Sequence, residues 1–263
     1  MPVHVGTAGW SLPRSQWSGF PLEGTHLQRY AAVLPAVEIN SSFYRPHQPG
    51  VYAKWAASVP ETFRFSVKMP QALSHQQRLC NSEALLDGFL SQVAGLGSKL
   101  GCLLLQLPPS LGFEPRVVAT FLQALRDRHA GAVALEARHS SWFVPEVEAL
   151  LQDYRLARVA ADPPRALGDG QPGGWPGRVY YRLHGSPKIY QSSYSAAYLE
   201  QLSLRLRPMA TAGREVWCIF DNTVYGAALA NARTLCALLK ALAASAPETA
   251  SGSSATTGRS PVR

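Results

Sequence analysis

Glu38, Glu136 and Asp162 bring carboxylates, and His139 and His184 bring imidazoles, to the ends of otherwise apolar stretches of this sequence. A charge in such a stretch is costly unless it is paired. A carboxylate there can act as a general base, and a histidine, which titrates near neutrality, as a general acid. These five are the candidate catalytic groups. Lys68, Arg138 and Arg182 stand at equivalent positions and carry the donors that hold a phosphate or another anion. Asn40, Gln106, Asp221 and Asn222 add hydrogen-bonding groups. Trp10, Phe43, Tyr44, Trp142, Tyr190 and Tyr194 add rings that either stack on a cyclic ligand or serve as packing lids.

Each group also has a plainer use. Glu38, Glu136, Arg138 and Arg182 can form a buried ion-pair network, since a carboxylate beside an arginine stays ionised and binds rather than catalyses. His184 precedes Gly185 and can be a turn residue, while His139 and Trp142 can anchor a loop. His4 falls at the opposite end of its run and reads as structural. No cofactor is expected. A metal-dependent, phosphoesterase-like variant would draw zinc, manganese or magnesium ligands from Glu38, Glu136, His139, Asp162, His184 and Asp221. Against it, the arginines repel a cation and the spacing lacks a tight motif of the HExxH kind.

The elements that position these residues alternate. Eight apolar runs read as strands, at 3–6, 36–40, 63–69, 102–107, 132–138, 158–162, 178–184 and 215–221. Near-continuous hydrophobic runs are expected of parallel strands covered on both faces. Between them, helical spacing covers 25–34, 81–96, 114–128, 145–154, 196–209 and 227–242, with Thr25 placed to cap the first and Pro115 to open the third. Alternation of this kind implies an α/β fold with right-handed crossovers, most simply a (β/α)8 barrel of the TIM type. In such barrels the site forms at the C-terminal ends of the strands. The stretch PPRALGDGQPGGWPG after Asp162 is too rich in proline and glycine for a regular helix, so a long loop is expected in place of the sixth helix. Residues 1–242 are expected to form a single barrel domain and 243–263 a disordered tail.

With 263 residues, 46% hydrophobic and 16% charged, the chain can bury a substantial core. No apolar run reaches the ~20 residues of a membrane span, and the N-terminus lacks the pattern of a signal peptide, so the expected location is cytoplasmic. Cys80, Cys102, Cys218 and Cys236 form no CxxC pair, which argues against a disulfide framework or a structural zinc site. The net charge of +8 favours anionic partners, although no dense block of lysine and arginine is present.

The motifs GTAGWS (6–11) with a following Trp17, VEINSSFYR (37–45), FRFSVK (63–68), LLLQLPPS (103–110), EARHSSW (136–142), ADPP (161–164), YYRLHG (180–185) followed by Tyr190 and Tyr194, and FDNT (220–223) followed by Gly226 and Asn231 resemble, in this order, the YecE-like family, domain of unknown function 72. The likeness runs from Val3 to about Leu239 and departs at Ala8, where serine is usual, and at Leu12, where an aromatic is common. It implies a (β/α)8 barrel with the charged strand ends at its mouth, and no reaction. Loose similarity to sugar-isomerising and phosphate-ester barrels, the abasic-site endonuclease group among them, is analogy of fold only.

The reading that follows is an enzyme or binder acting on an anionic, ring-bearing ligand: a phosphorylated sugar, a nucleotide or a nucleic-acid end. A hydrolase, phosphoesterase-like or isomerase-like reaction would fit. The alternatives are non-catalytic nucleic-acid binding, which requires positive charge with interleaved aromatics, and the metal-dependent variant.

Overall fold

The computed structural model describes residues 3–245 of the chain. Its strands are β1 (Val3–Thr7), β2 (Ala36–Ile39), β3 (Arg64–Lys68), β4 (Leu100–Gln106), β5 (Val133–Glu136), β6 (Leu156–Arg158), β7 (Ala160–Asp162), β8 (Gly173–Gly174), β9 (Arg178–Leu183) and β10 (Glu215–Phe220). Its α-helices are α1 (His26–Ala31), α2 (Pro49–Ala57), α3 (Glu83–Val93), α4 (Pro115–Arg128), α5 (Pro145–Asp153), α6 (Ala196–Thr211) and α7 (Ala227–Ala244).

Local sequence accounts for most of the boundaries. Thr25 closes a capping box with Gln28 at the start of α1, as its position suggested. Proline occupies the first turn of α2, α4 and α5, where its missing N–H costs nothing. Helix α2 is absent from the sequence reading because Pro49-Gly50 looks like a turn, although a proline at that position also opens helices. No helix among the described residues lies between β7 and β9; the loop there contributes only β8, which pairs antiparallel with β6. Helix α7 continues to Ala244, two residues beyond the expected boundary, and the rest of the expected tail lies outside the described residues. By length and composition alone α7 could cross a bilayer, contrary to the sequence-based exclusion, yet it docks on β1, β10 and α6.

Parallel pairing dominates. One sheet has the order β1-β10-β9-β7 and the other β2-β3-β4-β5-β6-β8, with only the β6–β8 pair antiparallel. The ladder is therefore divided in two and is not one continuous ring. The sheets meet at two places. Val159 alone separates β6, paired to β5, from β7, paired to β9. Between β1 and β2, pairing is reduced to a single bridge from Ala8 to Glu38.

The second break has a visible cause. The Tyr30 hydroxyl is wedged between the two strands, where it accepts from the Thr7 N–H (2.9 Å) and donates to the Ala36 carbonyl (2.9 Å). A side chain thus replaces a rung of the ladder. Gly6 lies so close to β2 that a Cβ there would fall 2.2 Å from the Ala36 carbonyl oxygen. Tyr30→Phe leaves buried backbone groups of β1 and β2 without a partner, and should lower the unfolding free energy by about 1–3 kcal/mol in a denaturant titration.

Two apolar clusters flank the strands. The larger packs helices against one set of strand faces. The smaller fills the other faces with Ala36, Cys102, Leu104, Ala134, Ala157, Val159, Tyr180, Trp217 and Ile219. Side chains alternate along a strand, so residues two positions further share the second face. From Ala36 this leads to Glu38, from Leu104 to Gln106, from Ala134 to Glu136, from Tyr180 to Arg182 and His184, and from Ile219 to Asp221. The period of two thus delivers six polar residues to the C-terminal ends of the strands, over an apolar base. The buried Cys102 and Cys218 behave as the small hydrophobes expected, and all four cysteines are free thiols.

Candidate functional site

Arg182 is the hub of this end. It is 1% exposed; its guanidinium donates to Glu38 (Nη2 to Oε1 2.8 Å, Nε to Oε2 3.1 Å) and Glu136 (Nη1 to Oε2 3.1 Å), and forms an ion pair with Asp221 (Nη2 to Oδ2 3.0 Å). Four different strands or strand ends thus meet on one planar fork. Glu38 also accepts from the Tyr180 hydroxyl at 3.0 Å, which in turn lies 2.8 Å from Ser66 Oγ. The sequence reading left Tyr180 and Ser66 aside, although each lies two residues before a charged residue, on the same strand face. Because every nitrogen of Arg182 is committed to a carboxylate, it is not free to clamp a phosphate. Glu38, Glu136, Arg138 and Arg182 are joined by buried ion pairs.

Above this floor, Glu136 Oε1 accepts from Arg138 Nη2 at 2.7 Å and lies 2.8 Å from His184 Nε2, which is itself 3.1 Å from Arg138 Nη2. The other ring nitrogen of His184, Nδ1, lies 3.0 Å from Asp221 Oδ2. A doubly protonated ring donates to both carboxylates, a neutral ring to one. Burial by itself raises the Glu136 carboxyl, but Arg182, Arg138 and His184 outweigh it and hold the group well below the usual carboxylate range. Asp221 is likewise lowered against its burial, chiefly by Arg182 and His184. His184 meets the edge of the Tyr190 ring at 5.7 Å, and Tyr190 is 38% exposed.

Lys68 completes the cluster differently. It is 5% exposed, and its ammonium sits 3.8 Å above the Phe43 ring with no hydrogen bond or ion pair among the described residues. Burial, then the neighbouring Arg182, lowers its pKa to about 8 despite Glu38, Glu136 and Asp221 nearby. His75, in the turn after β3, packs on Phe43 and is lowered by burial and by the charges of Lys68 and Arg138. Gln106 pairs in register with Glu136, is 9% exposed and makes no side-chain hydrogen bond among the described residues. Asn40 opens the turn before Phe43, with its Oδ1 buried and unpartnered.

Other candidates do not join this group. Asp162 pairs in register with Leu183, one position away from Arg182, and so belongs to the opposite strand face. There it accepts from the Tyr194 hydroxyl at 2.8 Å. Tyr194, raised by burial and by Asp162, also takes the Gly185 N–H at 2.8 Å and is a brace for the loop. Asn222 falls on that same face; its Nδ2 donates to Ser192 O and Asn231 Oδ1, both at 2.9 Å. His139 caps the turn Ser140–Trp142 by accepting from the Ser141 N–H, and Trp142 is fully buried with its Nε1 donating to Leu111 O. Trp10 packs edge-on against Trp55 in the larger apolar cluster, and Tyr44 is exposed beside Phe43. Asp162 and His139 are therefore supports and not part of the charged cluster, as are Trp10, Trp142, Tyr194 and Asn222.

Among the described residues, no three His, Cys, Asp or Glu side chains are arranged to hold a metal ion. The carboxylate oxygens that the metal-dependent variant would need already face Arg182, Arg138 and His184. The arrangement can instead hold fixed opposite charges in a buried place, pass a proton along Glu136, His184 and Asp221, and present unspent donors at its rim.

Comparison with known proteins places this arrangement in context. The model of a family described as "Protein of unknown function DUF72" matches residues 4–253. The UPF0759 protein YecE of Escherichia coli K12 is 31% identical over 144 residues, which are 54% of this chain and 50% of that protein. The chain thus spans about half the length of the YecE proteins it matches. The UPF0759 protein YunF of Bacillus subtilis is 25% identical over 267 residues, covering 90% of this chain and 94% of that one. Crystal structures of DUF72 proteins from Enterococcus faecalis and Thermotoga maritima each superpose with a TM-score of 0.75 at 25% identity. They cover 91% and 90% of this chain, and 96% and 99% of their own.

Proposed function

The chain belongs to the DUF72 family, whose name carries no reaction, and we propose from its strand-end cluster that it is an enzyme acting on a small, anionic, ring-bearing substrate at the mouth of a TIM-type barrel. Two features support the barrel. Strand pairing continues on either side of both joins, at Val159 and at the Ala8–Glu38 bridge. Charged residues also gather where sites form in such barrels, at the C-terminal strand ends.

The observation that carries the function is the contrast between floor and rim. Glu38, Glu136 and Asp221 are neutralised from below by Arg182, while at the rim Arg138 keeps Nε and Nη1 uncommitted and Lys68 keeps all its donors. A rigid arginine beside free cationic groups is suited to a phosphate or carboxylate. Arg138 holds the anion, and Lys68 adds positive potential. Tyr190 and Tyr44 offer exposed rings, and Glu136 with His184 handles a proton. Glu38 has a positioning role through Arg182. A fixed arginine donor next to an unpaired, buried ammonium suits a small ligand better than a polymer.

Isothermal titration with ribose 5-phosphate, AMP and inorganic phosphate tests this reading. Binding to the intact chain is expected for at least one of the two ring-bearing compounds, with Arg138→Gln weakening it at least tenfold, about 1.4 kcal/mol. Absence of binding for all three, or an unchanged affinity in the variant, overturns the proposal.

A further inference from the structure

The chain has five lysines, and two of them are buried. They are treated in opposite ways. Lys99, 9% exposed, is fully served: its Nζ donates to Ala56 O and Val59 O, both at 2.8 Å, and lies 3.5 Å from Glu61 Oε2. This is how an interior ammonium is normally satisfied. Lys68 is more deeply buried, faces the site, and has only the Phe43 ring beneath its nitrogen. The carboxylates that could have paired with it, Glu38, Glu136 and Asp221, are turned to Arg182, Arg138 and His184. An amine kept apart from acceptors, in a site full of them, is spared the interactions that would hold its lone pair protonated.

We propose that Lys68 is a nucleophilic amine that condenses with the carbonyl group of an aldehyde or ketone substrate whose phosphate or carboxylate is held by Arg138. The inference rests on the functional reading above and deepens it, because among ring-bearing anions it selects sugar phosphates, which open to a free carbonyl. The step balances without an oxidant or reductant. The amine lone pair forms the C–N bond while the carbonyl pair moves to oxygen. That oxygen gains the two amine protons, shuttled by His75 or His184, and departs as water, leaving an imine on Nζ. Protonation of the imine nitrogen then makes the adjacent C–H acidic, which suits an isomerase or an aldol-type reaction.

The charges facing Lys68 act in both directions. Arg182 on β9 and burial favour the neutral amine, and Glu38 on β2, Glu136 on β5 and Asp221 after β10 oppose them; the net result is a group that titrates near 8. His75 lies on the same side, and Arg138 stands close enough to influence that ring. Lys54, Lys188 and Lys240 are exposed and serve as internal references.

The test incubates the full-length protein with ribose 5-phosphate and sodium cyanoborohydride, which reduces an imine to a stable secondary amine, and maps the modified lysines by mass spectrometry. At pH 7.5 the adduct on Lys68 is expected to form at least tenfold faster than on Lys54, Lys188 or Lys240, and at least tenfold slower with ribose in place of its phosphate. Labelling spread over the exposed lysines, with Lys68 spared, overturns the proposal even if calorimetry shows that ribose 5-phosphate binds; the anion site then stands without it. Rapid labelling of Lys68 at equal rates by ribose and ribose 5-phosphate supports the nucleophile and overturns the role of Arg138. The measurement is made on the unmodified chain, so it does not depend on a variant folding.

Discussion

Arg182→Met is expected to lower the unfolding free energy by about 3–5 kcal/mol, the cost typical of removing one partner from a buried ion pair. The loss is unevenly shared. Glu136 keeps Arg138 and His184, and Asp221 keeps His184, but Glu38 is left with only the Tyr180 hydroxyl in a fully buried place. Most of the penalty therefore falls on Glu38. Adding Glu38→Gln, which keeps an acceptor for Tyr180, should restore part of the loss, and a double-mutant cycle by urea denaturation should show a coupling of about 1–3 kcal/mol. Additive effects would mean that Arg182 does not neutralise Glu38.

The pH dependence of this defect has a definite sign. Glu136 and Asp221 have depressed values in the folded protein, so the stability they contribute is present above their ordinary values of 4.5 and 3.8 and is lost as pH falls through the folded ones. The intact protein should thus lose stability on acidification below about pH 4.5. Without Arg182 the same carboxylates lose the charge that depresses them, and protonation relieves the variant. The gap between variant and parent should narrow steadily from pH 7 to pH 4. A gap that is constant over this range would assign the destabilisation to lost packing instead.

How much of this was legible in the sequence depends on how local the cause is. The strands declared themselves as apolar runs because both faces are covered, and the ionisable or amide residue near the end of nearly every run stood out against that background. Alternation within a strand was legible too, and would have separated Arg182 and His184 from Asp162 and Asn222 had the relative register of the strands been known. That register is a property of pairing, and nothing near Asp162 reveals that it faces Leu183. The roles of His139 and Trp142 were open for a similar reason: a capping bond to Ser141 and a bond to Leu111 depend on backbone geometry that composition does not encode. The commitment of Arg182 was the least visible feature, since its partners come from positions 38, 136 and 221, and only the closing of the fold brings them together. The wedge formed by Tyr30 belongs to the same class, as it joins α1 to both β1 and β2.

Lys68 yields the second large effect, and here the expected direction is upward. A group whose folded value lies near 8 against an ordinary 10.5 binds its proton less readily in the folded chain than in the unfolded one. The unfolded state therefore holds more protons between those values, and stability rises with pH across that window. Below pH 8 the folded protein bears the full cost of burying an ammonium that has no acceptor. Lys68→Met keeps the length of the side chain, places a thioether over Phe43 and removes that cost. It should raise the unfolding free energy at pH 7 by about 1–3 kcal/mol, in line with other replacements of buried charge by apolar groups. The gain should shrink between pH 8 and pH 10.5, because the parent chain then loses the penalty as well. A residue that weakens the fold at neutral pH, in a cluster where the other buried charges are paired, is what a stability cost incurred for function looks like. If Lys68→Met proves neutral or destabilising at pH 7, the ammonium has acceptors that the geometry does not reveal, and the proposed nucleophile loses its physical basis.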